Sequence, residues 1–187
     1  MGITASYKRI TPQNFAEIQN NTEAAASLFK LNLDDLDFDF SNPQAMIAKL
    51  QERRSNEHYF RLEDWHALHF LLTGESSLED DTQTSPPLCN VVMGGKPTQF
   101  EATYGFVRYL TLEEVRDVAD ALSQISVEEL KSRFNSTVFN AAEIYPNPSP
   151  GGWDKEEIEP LFELYPQLVE FFQNTAKEGD IVLLSSD

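Results

Sequence analysis

A chain of 187 residues, 41% of them hydrophobic, is long enough to bury its own core, so it needs no disulfide or metal to fold. Its 31 acidic residues outnumber 14 basic ones, and the formal net charge of −17 repels phosphate backbones and anionic lipids, which excludes direct nucleic-acid binding. The single cysteine excludes an internal disulfide, and no stretch approaches the roughly 20 apolar residues that span a bilayer. We therefore expect one domain over residues 1–187, in the cytoplasm and without membrane contact.

The amino-terminal third predicts a strand followed by helices. Residues 3–10 have the pattern of a strand, and Thr11 with Pro12 is a typical helix start. The segments 22–33 and 41–54 continue with helical spacing of apolar residues.

Three aspartates lie between those two segments. Asp35, Asp37 and Asp39 alternate with apolar residues, so an extended conformation places their carboxylates on one face, as at the start of a calcium loop. Phe40 stands where an EF-hand loop needs glycine, and Met46 stands where it needs glutamate. We interpret the aspartates as a solvated face.

The middle of the chain predicts a buried helix and, after a loop and a short apolar run, a strand. Residues 62–72 carry apolar side chains at helical spacing, and Gly74 lies where a helix C-cap belongs. An acidic loop, 75–87, follows and is either mobile or functional because of its length. A short apolar run, 88–93, ends at Gly94 and Gly95, and the segment 104–110 then has the pattern of a strand.

Two capping motifs predict helices directly after residue 110. Thr111 with Glu114 forms a capping box, and Ser126 with Glu129 begins a second helix. Further helical spacing covers 138–144 before Pro146 ends it.

The carboxy-terminal segment predicts a long helix and a last strand. Asp154 is the expected N-cap, Pro166 is expected to kink the helix and Gly179 to end it, and residues 181–184 form an apolar strand. Strands near both ends with helices between them predict an α/β (α+β) fold, in which helices pack a small central mixed β-sheet.

Few residues have side chains in patterns that suggest catalysis, metal binding or nucleotide binding. His66 and His69 lie three apart on one helix, a spacing that suits two metal ligands, but the HExxH pattern is absent and we interpret His69 as a hydrogen-bonded structural histidine. Cys89 lies in an apolar run and is interpreted as a core residue. Gly94 and Gly95 lack the spacing of a phosphate loop, so we predict no nucleotide binding, no cofactor and no metal.

The segment 64–74 reads Asp-Trp-His-Ala-Leu-His-Phe-Leu-Leu-Thr-Gly and resembles the Trp-x-x-Leu-His-x-x-Leu-Thr-Gly signature of the YfbM-like family, a bacterial family of unknown function. Further similarities at Tyr104 and Gly105, at residues 144–146 and at Trp153 extend the resemblance over nearly the whole chain. It implies a central sheet packed by helices and no assigned activity. Glu63 departs from the lysine that members often carry two residues before the signature tryptophan.

Besides a structural or accessory role without a small-molecule ligand, two functions remain open. The first is a noncatalytic protein whose acidic surface binds a basic partner protein, for instance an immunity or antitoxin-like protein that masks a nuclease. The second is a small-molecule-binding protein or enzyme with an aromatic site around His69. For such a site we predict that four side chains converge, because they combine aromatic surface with polar groups: Trp65, His69, Tyr145 and Trp153.

Overall fold

The computed structural model describes residues 2–21, 58–78, 85–148 and 150–187. Its elements follow in this order: β1 (Ala5–Ile10), α1 (Pro12–Asn20), β2 (Tyr59–Leu62), α2 (Trp65–Thr73), a 3-10 helix (Leu88–Asn90), β3 (Lys96–Glu101), β4 (Phe106–Leu110), α3 (Leu112–Ser123), α4 (Val127–Ser132), α5 (Ser136–Ala141), α6 (Lys155–Glu178) and β5 (Ile181–Ser186). No helix within these ranges is both long and apolar enough to cross a membrane. The helices expected over 22–33 and 41–54, and the three aspartates between them, lie outside the described residues.

The five strands form one sheet in the order β2-β1-β5-β4-β3. The α+β class and the helix-packed central sheet are therefore confirmed. The sheet was expected to be mixed, whereas each recorded strand pair is antiparallel. The strand β5 lies at the centre, between β1 and β4, so strands far apart in sequence become neighbours.

Side chains alternate between the two faces of the sheet, as the pleat requires. On one face, Tyr7, Val182 and Leu184 join a large core with the apolar sides of α2, α3 and α6. On the other face, Ile10 and Leu183 pack with Phe15 and Ile18 of α1 in a smaller cluster. Two apolar layers therefore enclose β5, which explains why residues 181–184 form a continuous buried run.

The helices α1, α3 and α6 begin where the capping residues in the sequence predict. The Thr11 hydroxyl accepts from the Asn14 N–H at the start of α1. Thr111 and Glu114 form the predicted capping box of α3, and the Asp154 carboxylate accepts from two backbone N–H groups of α6. Such caps satisfy amide groups that have no partner inside the helix. The helix α6 continues through Pro166, where we expected a kink, and ends at Gly179 with a left-handed φ of 73°.

Three elements differ from the expectations. The strand β3, Lys96–Glu101, was not predicted, because it is polar and lies at a sheet edge. The apolar run 88–93, for which no element was predicted, forms a 3-10 helix and a turn. The helix predicted from residue 62 begins at Trp65, since Tyr59–Leu62 is the strand β2.

Candidate functional site

The helix α2 presents three ring side chains to loops instead of to the sheet. Its apolar residues Leu68 and Leu71 are buried in the large core. Trp65, His66 and His69 instead make their polar contacts with backbone groups of neighbouring loops. Gly74 ends the helix with a φ of 77°, a conformation that favours glycine.

An aromatic stack forms at the first turn of α2. The Trp65 ring lies 5.2 Å from the His66 ring and 5.5 Å from the Tyr145 ring, measured between centroids, and both pairs are stacked. The Trp65 indole N–H donates to the Ile3 carbonyl at 2.9 Å, and the Ile3 N–H donates to the Tyr145 hydroxyl oxygen at 2.7 Å. The stack therefore connects α2 with the chain segment before β1 and with the loop that contains Tyr145.

The two histidines hold the loop that follows α2. The His66 Nε2–H donates to the Ser76 carbonyl at 2.6 Å, while its Nδ1 accepts from the Tyr145 N–H at 2.9 Å. The His69 Nε2–H donates to the Ser77 carbonyl at 2.9 Å. Burial lowers the pKa of both imidazoles, so both are neutral at pH 7.

Among the described residues of this region, one buried polar side-chain atom has no hydrogen-bond partner. The His69 ring is 2% exposed, and its Nδ1 is buried without a hydrogen bond. With Nε2–H donating, Nδ1 carries a lone pair and can accept a hydrogen bond. Both nitrogens of His66 are occupied by backbone groups, so the two histidines do not provide paired metal ligands. Among the described residues no group of three His, Cys, Asp or Glu side chains is arranged to hold a metal ion.

Trp153 lies in the large core. Its side chain is 1% exposed, and its indole N–H donates to the Ile144 carbonyl at 2.7 Å. Asn140 fixes its backbone by accepting from the Trp153 N–H and donating to the Trp153 carbonyl. Of the four predicted site residues, Trp65 and Tyr145 are thus in direct contact, Trp153 is joined to Tyr145 through Ile144, and His69 lies one turn further along α2.

Asp64 immediately precedes this helix and was not among the predicted site residues. Its side chain makes no capping bond. The pKa of its carboxyl is raised to about 6, mainly by burial and also by the negative charges of Glu63 and Glu157. In the sequence, the adjacent acids Glu63 and Asp64 are the signal that indicates a raised carboxyl pKa. The proximity of Glu157 is not visible there, because it depends on tertiary packing.

The surroundings of Gly94, Gly95 and Cys89 indicate structural roles for these residues. A Cβ on Gly95 would lie 2.2 Å from the Tyr109 carbonyl oxygen, and the Gly95 N–H donates to the Asn90 side chain. Arg108 donates to the carbonyls of both glycines, so the turn is joined to the sheet. Burial raises the pKa of the partly buried Cys89 thiol, which reduces its reactivity.

Charge is unevenly distributed between helices and strands. The helix α6 carries six glutamates and two lysines, and α3 carries four acidic residues and one arginine. The five strands contain a single acidic residue, Glu101, and five basic ones: Lys8, Arg9, Arg61, Lys96 and Arg108. The acidic surplus of the described residues therefore lies mainly on the helical layer.

A family model described as a domain of unknown function (DUF1877) matches residues 1–185. The chain belongs to the DUF1877 family. A solved structure of similar fold is that of YfbM from Escherichia coli, a protein of unknown function, with 18% sequence identity, 97% of this chain and 98% of that chain covered, and a TM-score of 0.60. The predicted YfbM-like resemblance is thus confirmed. No curated protein matches this DUF1877 chain.

Proposed function

We propose that this DUF1877 domain is a noncatalytic protein that binds a basic partner protein through exposed carboxylates of α3 and α6. The spacing of these carboxylates supports the proposal. Glu156, Glu163 and Glu170 are exposed and recur every seven residues, which places them along one side of α6. On α3, three exposed acids recur at helical spacing: Glu113, Asp117 and Asp120.

These carboxylates are available to a partner. Within the described ranges, ion pairs of the helical layer involve Glu129 with Arg133 and Glu159 with Lys131, and none involves the six exposed acids of the two rows. Like charges along one side of an isolated helix repel each other slightly. Each row of carboxylates is therefore favourable only where solvent or an opposing basic surface offsets this repulsion. Such a surface accelerates association and selects partners of opposite charge.

An immunity or antitoxin-like role fits this chemistry. A nuclease or another nucleic-acid-binding protein carries a basic surface that attracts phosphates, and rows of carboxylates compete for the same surface. The predicted complex weakens steeply with salt, because the charges are exposed and screened.

The test is affinity capture from a lysate of the source organism at low salt and at roughly 0.5 M salt, where exposed charges are strongly screened. The wild type is compared with the triple variant E156Q/E163Q/E170Q. A matched control, E17Q/E101Q/D187N, neutralises three exposed acids on other elements and changes the net charge equally.

We expect a basic protein that is captured at low salt, lost at high salt and retained by the control variant. Its dissociation constant for the α6 variant rises roughly tenfold, since each exposed ion pair contributes about 0.2–1 kcal/mol. Absence of a partner at low salt, or equal loss in both triple variants, contradicts the proposal.

The buried Nδ1 of His69 supports a second candidate, in which the site comprising Trp65, His69, Tyr145 and Trp153 binds a small molecule with a hydrogen-bond donor. An acceptor buried without a partner costs about 1–3 kcal/mol, which a donor group on a ligand offsets. The variant H69Q keeps a donor toward Ser77 but removes this acceptor, whereas H69N places an oxygen near the position of Nδ1. A metabolite that raises the melting temperature of the wild type and of H69N, but not of H69Q, supports this function; a panel without any such metabolite argues against it.

A further inference from the structure

The two histidines of α2 differ in what their second ring nitrogen contacts. The His66 ring joins two backbone groups, the Ser76 carbonyl at Nε2 (2.6 Å) and the Tyr145 N–H at Nδ1 (2.9 Å). The His69 ring contacts the Ser77 carbonyl through Nε2, and its buried Nδ1 has no hydrogen-bond partner. Of the two, His66 alone connects the loop after α2 with the segment that contains Tyr145.

The polarity of these two backbone groups sets the position of the hydrogen on the His66 ring. A carbonyl can only accept and an N–H can only donate, so Nε2 must carry a hydrogen and Nδ1 must carry a lone pair. The imidazolium is a donor at both nitrogens and satisfies only the Ser76 contact. A proton added to His66 therefore places two donors, its own Nδ1–H and the Tyr145 N–H, face to face. Protonation of His69 breaks no hydrogen bond, because its Nδ1 accepts none.

The Tyr145 backbone that His66 holds supports further contacts at the first turn of α2. Trp65 stacks on the Tyr145 ring, and its indole N–H donates to the Ile3 carbonyl at 2.9 Å. The Ile3 N–H donates to the Tyr145 hydroxyl oxygen at 2.7 Å. Trp65, Tyr145 and Ile3 thus contact one another in a closed ring. Loss of the bond between His66 and Tyr145 weakens these contacts together.

Firmly held residues border the part of the chain that can move. Ile144, directly before Tyr145, is 0% exposed, and its carbonyl accepts a buried hydrogen bond from an indole N–H. Thr4, directly after Ile3, exchanges two backbone hydrogen bonds with the residue that follows β5. A displacement that begins at His66 is therefore confined to Tyr145 and Ile3, and the sheet and the large core stay intact.

We propose that His66 is a pH-dependent switch: protonation of its imidazole releases Tyr145 and Ile3 from α2 and exposes the Trp65 ring. The loop after α2 stays bound, since the imidazolium still donates to the Ser76 carbonyl. Burial lowers the pKa of His66, so the contacts are closed at neutral pH and open in mildly acidic solution. The inference goes beyond both proposed functions, because it needs neither a partner protein nor a ligand.

Several titratable groups lie on α2 and on the segments packed against His66. They are Asp64 with its neighbours Glu63 and Glu157, His69, Glu75, Glu143 and the Tyr145 phenol. Negative charge on the acids favours the imidazolium, but burial outweighs it, because the pKa of His66 lies below its ordinary value. The pKa of Asp64 is about 6, so this carboxyl titrates in the same range. The test is therefore made in a D64N background.

The release of Trp65 can be measured by 19F NMR of the full chain labelled with 5-fluorotryptophan. The difference of each 19F shift between H2O and D2O reports the solvent exposure of that indole, and a W65F variant assigns the two resonances. The buried Trp153 is the internal control. The titration runs from pH 7.5 to about pH 5, the range over which histidines change charge. Ring 15N shifts follow protonation of each histidine, and far-UV circular dichroism follows the helices.

Two glutamine variants separate the histidines. H66Q cannot titrate, and its amide keeps one donor and one acceptor, whereas H69Q is the matched control on the same helix. We expect the solvent exposure of Trp65 to rise in a single step that coincides with protonation of His66, with a midpoint below pH 6.5. Trp153 and the circular dichroism stay unchanged over this step. H69Q shows the step of the D64N parent, and H66Q shows none.

Three results would overturn the proposal. Trp65 keeps its solvent exposure while His66 becomes protonated, or H66Q shows the same step as the parent, or Trp65 becomes exposed only together with Trp153 and with loss of the helical signal. The ring 15N shifts of the parent decide the first and third outcomes even where H66Q fails to fold. Failure leaves both proposed functions untouched, because their tests do not depend on protonation of His66.

Discussion

Replacing Asp64 with asparagine should stabilise the protein at neutral pH. The pKa of the Asp64 carboxyl rises from 3.8 to about 6 in the fold, first because of burial and then because of Glu63 and Glu157. That difference corresponds to ~3 kcal/mol when the group is fully ionised. Solvent screening at this partly exposed position, and the favourable helix dipole for a negative charge, reduce the expected gain to about 1 kcal/mol.

The pH dependence of this gain follows from the sign of the pKa change. The folded pKa lies above the unfolded value, so the fold favours the protonated carboxyl. Its stabilising contribution is fully present below about pH 4 and is lost as the pH rises through about 6. D64N remains neutral throughout, so its advantage over the wild type should be absent near pH 4 and complete near pH 7.5.

Urea unfolding of wild type and D64N at both pH values measures this difference. Asparagine caps a helix about as well as aspartate, and Asp64 makes no capping bond that the change would remove. D154N is the matched control, because Asp154 is exposed and accepts two backbone bonds at the start of α6. Its neutralisation should destabilise by about 0.5 kcal/mol. A D64N protein that is no more stable at pH 7.5, or equally stabilised at pH 4, refutes the reasoning.

Two further predictions concern titration and backbone geometry. The folded pKa values of His66 and His69 lie below the unfolded value, so their contribution to stability is present above about pH 6.5 and is lost as the pH falls. In a D64N background, the urea midpoint should therefore drop between pH 7.5 and pH 5.5, and this drop should be smaller when both histidines are replaced by glutamine. Gly95→Ala should destabilise by about 3 kcal/mol in urea unfolding, because φ is 73° and the new Cβ meets a carbonyl, whereas Gly151→Ala, with open space, should change stability by less than about 0.5 kcal/mol.

Local signals predicted much of the helical layer. The Thr111 capping box and the Asp154 cap depend on residues within one turn of each other, so they are legible in the sequence. The strand β3 was missed, because a solvated edge strand lacks the apolar alternation that predicts strands. The run 88–93 is apolar because Val91 and Val92 enter the core from a turn, which composition alone does not distinguish from a strand.

The candidate site was harder to predict than the fold. The sequence indicates that Trp65 and Tyr145 combine aromatic and polar character, but their stacking joins residues 80 positions apart. The carbonyl partners of His66 and His69 belong to a loop whose path follows from packing.

The central position of β5 has a consequence for synthesis on the ribosome. Until residues 181–186 emerge, β1 with β2 and β3 with β4 are separate antiparallel pairs, each with an unpaired inner edge. Such edges readily pair with other chains, and long-range strand pairing is slow. The sheet therefore cannot be completed before β5 has been synthesised, and a chain truncated before β5 should aggregate instead of accumulating as a partly folded monomer.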